Sequence, residues 1–232
     1  MRRLLSEQIK VGINALDEQQ SHHARSVLRL TVGETVELFD RAGRSAEGVI
    51  DAIEPQVSVR VESIRPAAGL RTLVIASAVP KGDRADWMVE KMSEIGVTRW
   101  IPLRTERSVV HPEGVSKFDR WRRIADESAK QCKRPGVMEI AELLSLDALL
   151  RSIEPGAGLL LSTAGSPRPI HTTLDIRHSI FLIGPEGGWS EKEEKSMLDR
   201  GLTPVTLGPT ILRIETAAVV AAGIVAACSF AP

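Results

Sequence analysis

Tyrosine is absent from this chain of 232 residues, and its aromatics come to four Trp and four Phe. Such scarcity argues against the stacking platforms that hold single-stranded nucleic acid. Cysteine is nearly absent too. Cys132 and Cys228 cannot build a disulfide framework and fit a reducing compartment, and they do not form a metal site. The longest apolar stretch, Thr216 to Cys228, falls short of the roughly 20 residues that span a bilayer. The opening Met1-Arg2-Arg3-Leu4-Leu5-Ser6-Glu7 turns polar before it could form the apolar centre of a signal peptide. A soluble, cytoplasmic chain with no membrane partner is therefore expected. Motifs are missing as well. There is no Walker lysine, no G-x-G-x-x-G and no G-x-S-x-G, and the histidines (His22, His23, His111, His171, His178) show no triad or metal spacing.

Net charge is also lacking, with 30 Lys plus Arg against 30 Asp plus Glu. Taken alone, this steers away from a uniformly basic nucleic-acid coat. The zero is a sum over unlike parts. Residues 1–70 carry 9 basic and 10 acidic side chains, residues 71–136 carry 14 and 9, and residues 137–232 carry 7 and 11. The basic excess sits in the middle, much of it on one amphipathic stretch from Lys117 to Lys133 whose Trp121, Ile124, Ala125, Ser128 and Cys132 share a face. Its Lys and Arg then project outward, as a solvated face or as a surface for phosphates.

What is present is ordinary globular composition, 43% hydrophobic and 26% charged. Thr35–Phe39, Gly48–Ile53 and Val57–Val61 alternate with period two, which predicts the strands of a small antiparallel barrel. Residues 22–28 form a helical turn ahead of them, with Ser21 as its expected N-cap. Arg65 to Gly69 reads as a linker. From Leu70 the rhythm becomes strand, helix, strand. Leu73–Val79, Trp100–Leu103, Gly158–Leu161, Ile180–Ile183 and Pro204–Leu207 are expected strands of a mainly parallel sheet. Asp83–Ile95, Lys117–Lys133, Glu191–Arg200 and Glu215–Ser229 are the expected helices, the first with Trp87, Met88, Met92 and Ile95 on its buried side and Gly96 at its end. The fold class is α/β, divided into residues 1–68 and 72–232.

Two strand-to-loop junctions carry the chemical interest. Ile180–Ile183 runs into Gly184-Pro185-Glu186-Gly187-Gly188-Trp189, and Ser190 with Glu193 spells a capping box for the next helix. Glycines at the C-terminal end of a strand let backbone groups approach a ligand, though a tight turn needs them equally. The second junction runs from Leu207-Gly208-Pro209-Thr210 to Ile211-Leu212-Arg213-Ile214-Glu215. Arg213 is a charge among apolar residues and turn formers, either paired with Glu215 or another local carboxylate or used in a site.

These junctions, together with Lys81-Gly82-Asp83-Arg84, Glu90 to Val97, Thr105-Glu106-Arg107-Ser108 and the small-domain residues His22-His23 and Val27-Leu28-Arg29, resemble the bacterial 16S rRNA (uracil-N3) methyltransferases of the SPOUT superfamily. Nearly the whole chain takes part, with departures at Trp189, Pro209-Thr210 and Ile214. The resemblance implies an N-terminal PUA-like RNA-binding β-barrel, a SPOUT-type α/β domain with a trefoil knot, a homodimer, and S-adenosyl-L-methionine as cofactor. It implies methylation of N3 of a specific uridine in 16S rRNA of the 30S subunit. Carried onto this chain, cofactor binding falls to Leu161, Gly184, Gly188, Leu207, Gly208, Ile211 and Leu212. Arg213 becomes the catalytic residue that stabilises charge on a uracil oxygen, with Glu186 as proton acceptor. RNA contacts fall to Lys81, Arg107, Arg134, His22 and Arg29. Two other outcomes stay open: a related methyltransferase acting on tRNA or on a ribose 2′-hydroxyl, and an RNA-binding assembly factor without catalysis.

Overall fold

Two β-sheets of different character organise the chain. A computed structural model describes residues 1–67, 72–112, 114–162, 167–172 and 180–229. Ala68 and Gly69 of the expected linker, and His178, lie outside them. One compact unit comprises Met1–Leu70 with Asp126–Met138, and the other Arg71–Ala125 with Glu139–Pro232. Residues 126–138 join the first unit, across the strands and helices of the second.

In that unit the chain runs through β1 (Arg2–Ser6), β2 (Gly12–Ala15), α1 (Glu18–His22), a π-helical turn (His23–Val27), β3 (Thr35–Asp40), β4 (Ser45–Ala52) and β5 (Ser58–Val61). They form one sheet in the order β1-β3-β4-β5-β2. Alternation is clearest in β4, where Ala46, Gly48 and Ile50 are buried while Glu47, Val49 and Asp51 are exposed. Gly48 is required there, since a Cβ would lie 2.6 Å from Val59 and 2.7 Å from the Arg60 carbonyl oxygen. Leu4, Leu16, Val36, Leu38, Val57 and Val59 complete the core.

Two expectations are corrected here. The sheet is not wholly antiparallel, because β1 pairs parallel to β3; the intervening β2 and α1 supply the long crossover that a parallel pair needs. The N-cap is Asp17, whose carboxylate accepts from the Gln20 N–H at 2.7 Å, and not Ser21. The Ser21 hydroxyl is buried instead, donating to the Leu16 carbonyl and accepting from the Val57 N–H.

The second unit contains β6 (Val74–Ala78), α2 (Arg84–Ile95), β7 (Arg99–Arg104), α3 (Val115–Cys132), β8 (Glu139–Ile140), β9 (Leu144–Ser145), α4 (Leu146–Ser152), β10 (Gly158–Leu161), β11 (Arg168–Pro169), β12 (Ile180–Ile183), α5 (Glu191–Asp199), β13 (Thr203–Thr206) and α6 (Ile214–Ser229). Only the last turns of α3 belong to the first unit. The sheet order is β11-β13-β10-β12-β6-β7-β8, with β9 also on β7, and every pairing among the described residues is parallel. β12 is buried along its length, which explains its continuous apolar run. In α2, Met88, Val89 and Met92 face the core, whereas Trp87 is 45% exposed and leaves the expected apolar face. Gly96 closes α2 at φ 108°, a left-handed cap. α6 packs on α2, β6 and β12. The few aromatics serve packing: Trp121 meets Trp100 and Phe118 edge-on, and the Trp100 indole donates to Ser77 Oγ at 2.9 Å.

Inside the first unit, α3 and the segment after it are held by two arginines. Arg3 is only 7% exposed. Its guanidinium lies 4.0 Å from the Phe39 ring centroid and 3.1 Å from the Glu37 carboxylate, and it donates to the carbonyl oxygens of Ala129 and Arg134. Arg41 forms a bidentate pair with Asp126 at 2.8 and 2.9 Å. Burial pushes the Asp126 carboxyl upward, and Arg41 opposes that shift.

Replacing Arg3 by Met would strand Glu37 and two carbonyl oxygens, and should lower unfolding free energy by about 3 kcal/mol; a urea titration showing a loss under about 1 kcal/mol would contradict this role. A pH effect is also expected. Partial burial, then the nearby Lys130 ammonium, hold the His23 imidazole below its usual 6.5. As pH falls through that value the unfolded chain takes up the proton first, so stability drops and levels off once the folded ring is protonated. Melting temperatures of His23→Gln should lose this part of the fall between about pH 7 and 5, and equal falls in both proteins would rule His23 out as its source.

Candidate functional site

A cavity of about 500 Å³ opens where three neighbouring strands of the second unit end. Its walls come from the exit of β10 (Leu161, Ser162), the turn after β12 (Ile183 to Trp189), Glu194 in the first turn of α5, the end of β13 (Val205 to Leu207), and Thr210 to Ile214 with Ala217 of α6. In open parallel sheets ligands bind at the carboxyl ends of strands, where loops from adjacent strands diverge.

Local chemistry explains the shape of the walls. After β12 the Gly188 N–H closes the turn on the Pro185 carbonyl at 2.8 Å, with Gly188 at φ 70°. Ser190 Oγ then accepts from the Glu193 N–H and Glu193 accepts from the Ser190 N–H, both halves of the capping box. The other Glu193 oxygen accepts from the Glu106 N–H at 2.8 Å, tying α5 to the loop after β7. Trp189 folds back over the turn. Its Nε1 donates to the Leu161 carbonyl at 3.0 Å, and a Cβ on Gly184 would stand 3.0 to 3.2 Å from the indole. Arg107 donates from Nη1 to the carbonyl oxygens of Gly187 and Trp189 at 2.8 and 3.2 Å. Ser162 Oγ donates to Glu194 at 2.6 Å across the cavity wall.

Leu161, Gly184, Gly188, Leu207, Ile211 and Leu212 all line the cavity, as do Arg213, Glu186 and Arg107. Gly208 does not; its N–H and carbonyl are turned to the Thr206 hydroxyl. Arg213 and Glu186 are exposed at the cavity, and Ile211 is 83% exposed. The local pairing considered for Arg213 is not formed with Glu215, which is buried and reaches Arg84 at 3.5 Å. Lys81 is exposed and lies off the cavity. In the first unit, His22 and Arg29 are exposed, Arg29 at φ 51°.

One expected RNA contact is corrected. Arg134 is 6% exposed, and burial pushes its guanidinium down, so it belongs to the packing of the first unit. The basic helix is also quieter than its composition implies. Arg120 pairs with Asp86, Arg122 with Asp119 and Glu142, and Lys130 with Glu127. Sequence reasoning overlooked Ser162, Trp189 and Glu194 as wall-formers. A signal existed for Ser162, which directly follows β10, and for Trp189, which ends the glycine-rich turn after β12; none existed for Glu194.

A parallel α/β sheet with a ligand cavity at its strand ends, preceded by a small sheet unit, matches by family model the RNA methyltransferase class. A family model described as the RNA methyltransferase domain matches residues 69–226, and one described as the RNA methyltransferase PUA domain matches residues 16–62. A ribosomal RNA small subunit methyltransferase E of Mycobacterium tuberculosis is 30% identical, covering 92% of this chain and 86% of its own. The corresponding protein of Synechocystis is 29% identical over 93% of this chain and 73% of its own. Among solved structures, the Neisseria gonorrhoeae ribosomal RNA small subunit methyltransferase E bound to S-adenosyl methionine superposes with a TM-score of 0.87 at 26% identity, covering all of both chains. A Legionella pneumophila methyltransferase with bound SAM gives 0.83 at 28% identity, covering 97% of each. The chain belongs to the ribosomal RNA small subunit methyltransferase E family.

The contact between Trp189 and Gly184 gives a stability test. Gly184→Ala should cost about 1–3 kcal/mol through overpacking. Much of that cost should vanish when Trp189→Leu is the background, and additive losses in the double-mutant cycle would show that the indole does not set the limit.

Proposed function

We propose that this protein transfers a methyl group from S-adenosyl-L-methionine to N3 of one uridine in the 16S rRNA of the small ribosomal subunit. The observation that carries the proposal is the meeting, in one cavity, of the loops after β10, β12 and β13 with Arg213 at their rim. The residues suit the cofactor. A volume of about 500 Å³ is in the range of small-molecule sites, and Leu161, Ile183, Val205, Leu207 and Leu212 offer apolar walls to an adenine ring. Gly184 and Gly188 add accessible backbone groups, with Ile211 at the outer edge and Gly208 just behind the wall. When bound, the cofactor supplies a methyl group already activated on a sulfonium.

The chain's own contribution is position and charge. Orientation of the uracil edge toward the cavity is worth several orders of magnitude in rate. Arg213 stabilises negative charge on a uracil carbonyl oxygen as N3 loses its proton, and Glu186, exposed on the cavity turn, takes that proton. Lys81 and Arg107 in the second unit meet RNA phosphates; His22 and Arg29 present a second RNA surface on the small sheet unit. The homodimer rests on α6, where Thr216, Val219, Val220, Gly223 and Ile224 form a helical stripe left half-buried in the single chain. A trefoil knot in the second unit accords with the convergence of these loops beneath α6. No helix among the described residues is long and apolar enough to cross a membrane, and a ribosomal substrate supports a cytoplasmic location.

Incubation with 30S particles and with tRNA, followed by mass mapping of nucleosides, should yield 3-methyluridine in 16S rRNA only. Methylated tRNA, a ribose 2′-O-methyl product or no methylation would overturn the proposal. Arg213→Ala should bind S-adenosyl-L-methionine within about twofold of the parent while single-turnover methyl transfer falls by about 10²–10³; an unchanged rate would remove Arg213 from the chemistry.

A further inference from the structure

The pair Ser162–Glu194 takes no part in the chemistry above, yet both residues line the cavity. Glu193 and Glu194 are adjacent on the first turn of α5 and have separate tasks. Glu193 is consumed by the capping box and the Glu106 N–H. Glu194 turns to the cavity, where the Ser162 hydroxyl donates to its Oε1 at 2.6 Å. Ser162 is itself fixed, because its N–H donates to the Val205 carbonyl at 3.1 Å and little of it is exposed. The carboxylate is therefore positioned by the exit of β10 and by its place on the first turn of α5.

An ionised carboxylate only accepts hydrogen bonds, and it has more acceptor sites than one serine can fill. Leu161, Ile183 and Val205 line the same cavity, and the Leu161 carbonyl is already taken by the Trp189 indole. A fixed acceptor in such a slot matches a ligand that brings neutral donors in a pair. Nucleoside sites at the ends of parallel strands use an acidic side chain for ribose hydroxyls in this way. We infer that Glu194, held by Ser162, accepts hydrogen bonds from the ribose diol of the cofactor and so selects a ribonucleoside ligand. This rests on the cofactor assignment proposed above.

The test is calorimetric titration with S-adenosyl-L-homocysteine, its 2′,3′-dideoxy counterpart and 5′-methylthioadenosine, which keeps the diol and lacks the amino-acid tail. The parent protein should prefer S-adenosyl-L-homocysteine to the dideoxy ligand by at least about tenfold, and Glu194→Gln should lose most of that preference. The same substitution should weaken 5′-methylthioadenosine and S-adenosyl-L-homocysteine alike. Ser162→Ala, which leaves the carboxylate in place but unheld, should reduce the preference in the same direction and serves as the independent variant if Glu194→Gln does not fold. An undiminished preference in a folded Glu194→Gln protein overturns the inference and leaves the cofactor assignment standing. Weakening confined to S-adenosyl-L-homocysteine also overturns it, by assigning Glu194 to the tail. Failure of the parent to bind any of the three ligands defeats the cofactor assignment itself.

Discussion

The fold of the Trp189 indole over Gly184 is the constraint from which the cavity follows. One hydrogen bond, from Nε1 to the Leu161 carbonyl, joins the exits of two paired parallel strands. The ring needs a glycine beneath it, because a side chain at 184 would meet the indole. Its own carbonyl is held by Arg107. The start of α5 follows from Trp189, since the next residue is the serine of the capping box. The orientation of α5 then decides where Glu194 stands. A large aromatic side chain can bear this role because burial of its body and satisfaction of its single donor point the same way.

Arginine does in this chain what its even charge balance conceals. Arg3, Arg41 and Arg107 each use the planar fork to gather carbonyl or carboxylate oxygens from distant parts of the sequence. Arg120 and Arg122 are likewise occupied by acids. A basic surplus counted along the sequence therefore overstates the surface that phosphates can meet.

Local pattern carried much of the fold. β4 was legible from its alternation, β12 from its unbroken apolar run, α2 from its glycine stop and α5 from Ser190 and Glu193, because each signal lies within a few residues of the element it marks. β1 escaped notice because Arg3 stands in it as a core residue, its burial made tolerable by Glu37, Phe39 and carbonyl oxygens more than a hundred residues away. β8, β9 and β11 are two-residue strands, too short to show a period. At the site, glycines and strand ends mark loops that line the cavity. The Ser162–Glu194 pair spans 32 residues and has no local signature. Arg134 was misjudged for a related reason: a charged residue after a helix suggests solvent until the packing that covers it is known.

The first compact unit is discontinuous in sequence, since the segment 126–138 that Arg3 and Arg41 grip is separated from the small sheet by the opening strands and helices of the other unit. During synthesis, which proceeds N-terminus first at about 5–20 residues per second, the sheet must therefore wait seconds for its last piece. Until then the Arg3 guanidinium lacks both of its carbonyl acceptors and the Phe39 surface is incompletely covered. The nascent chain meets this interval with a buried arginine still short of two partners, which makes the order of emergence a physical part of how the protein reaches its native state.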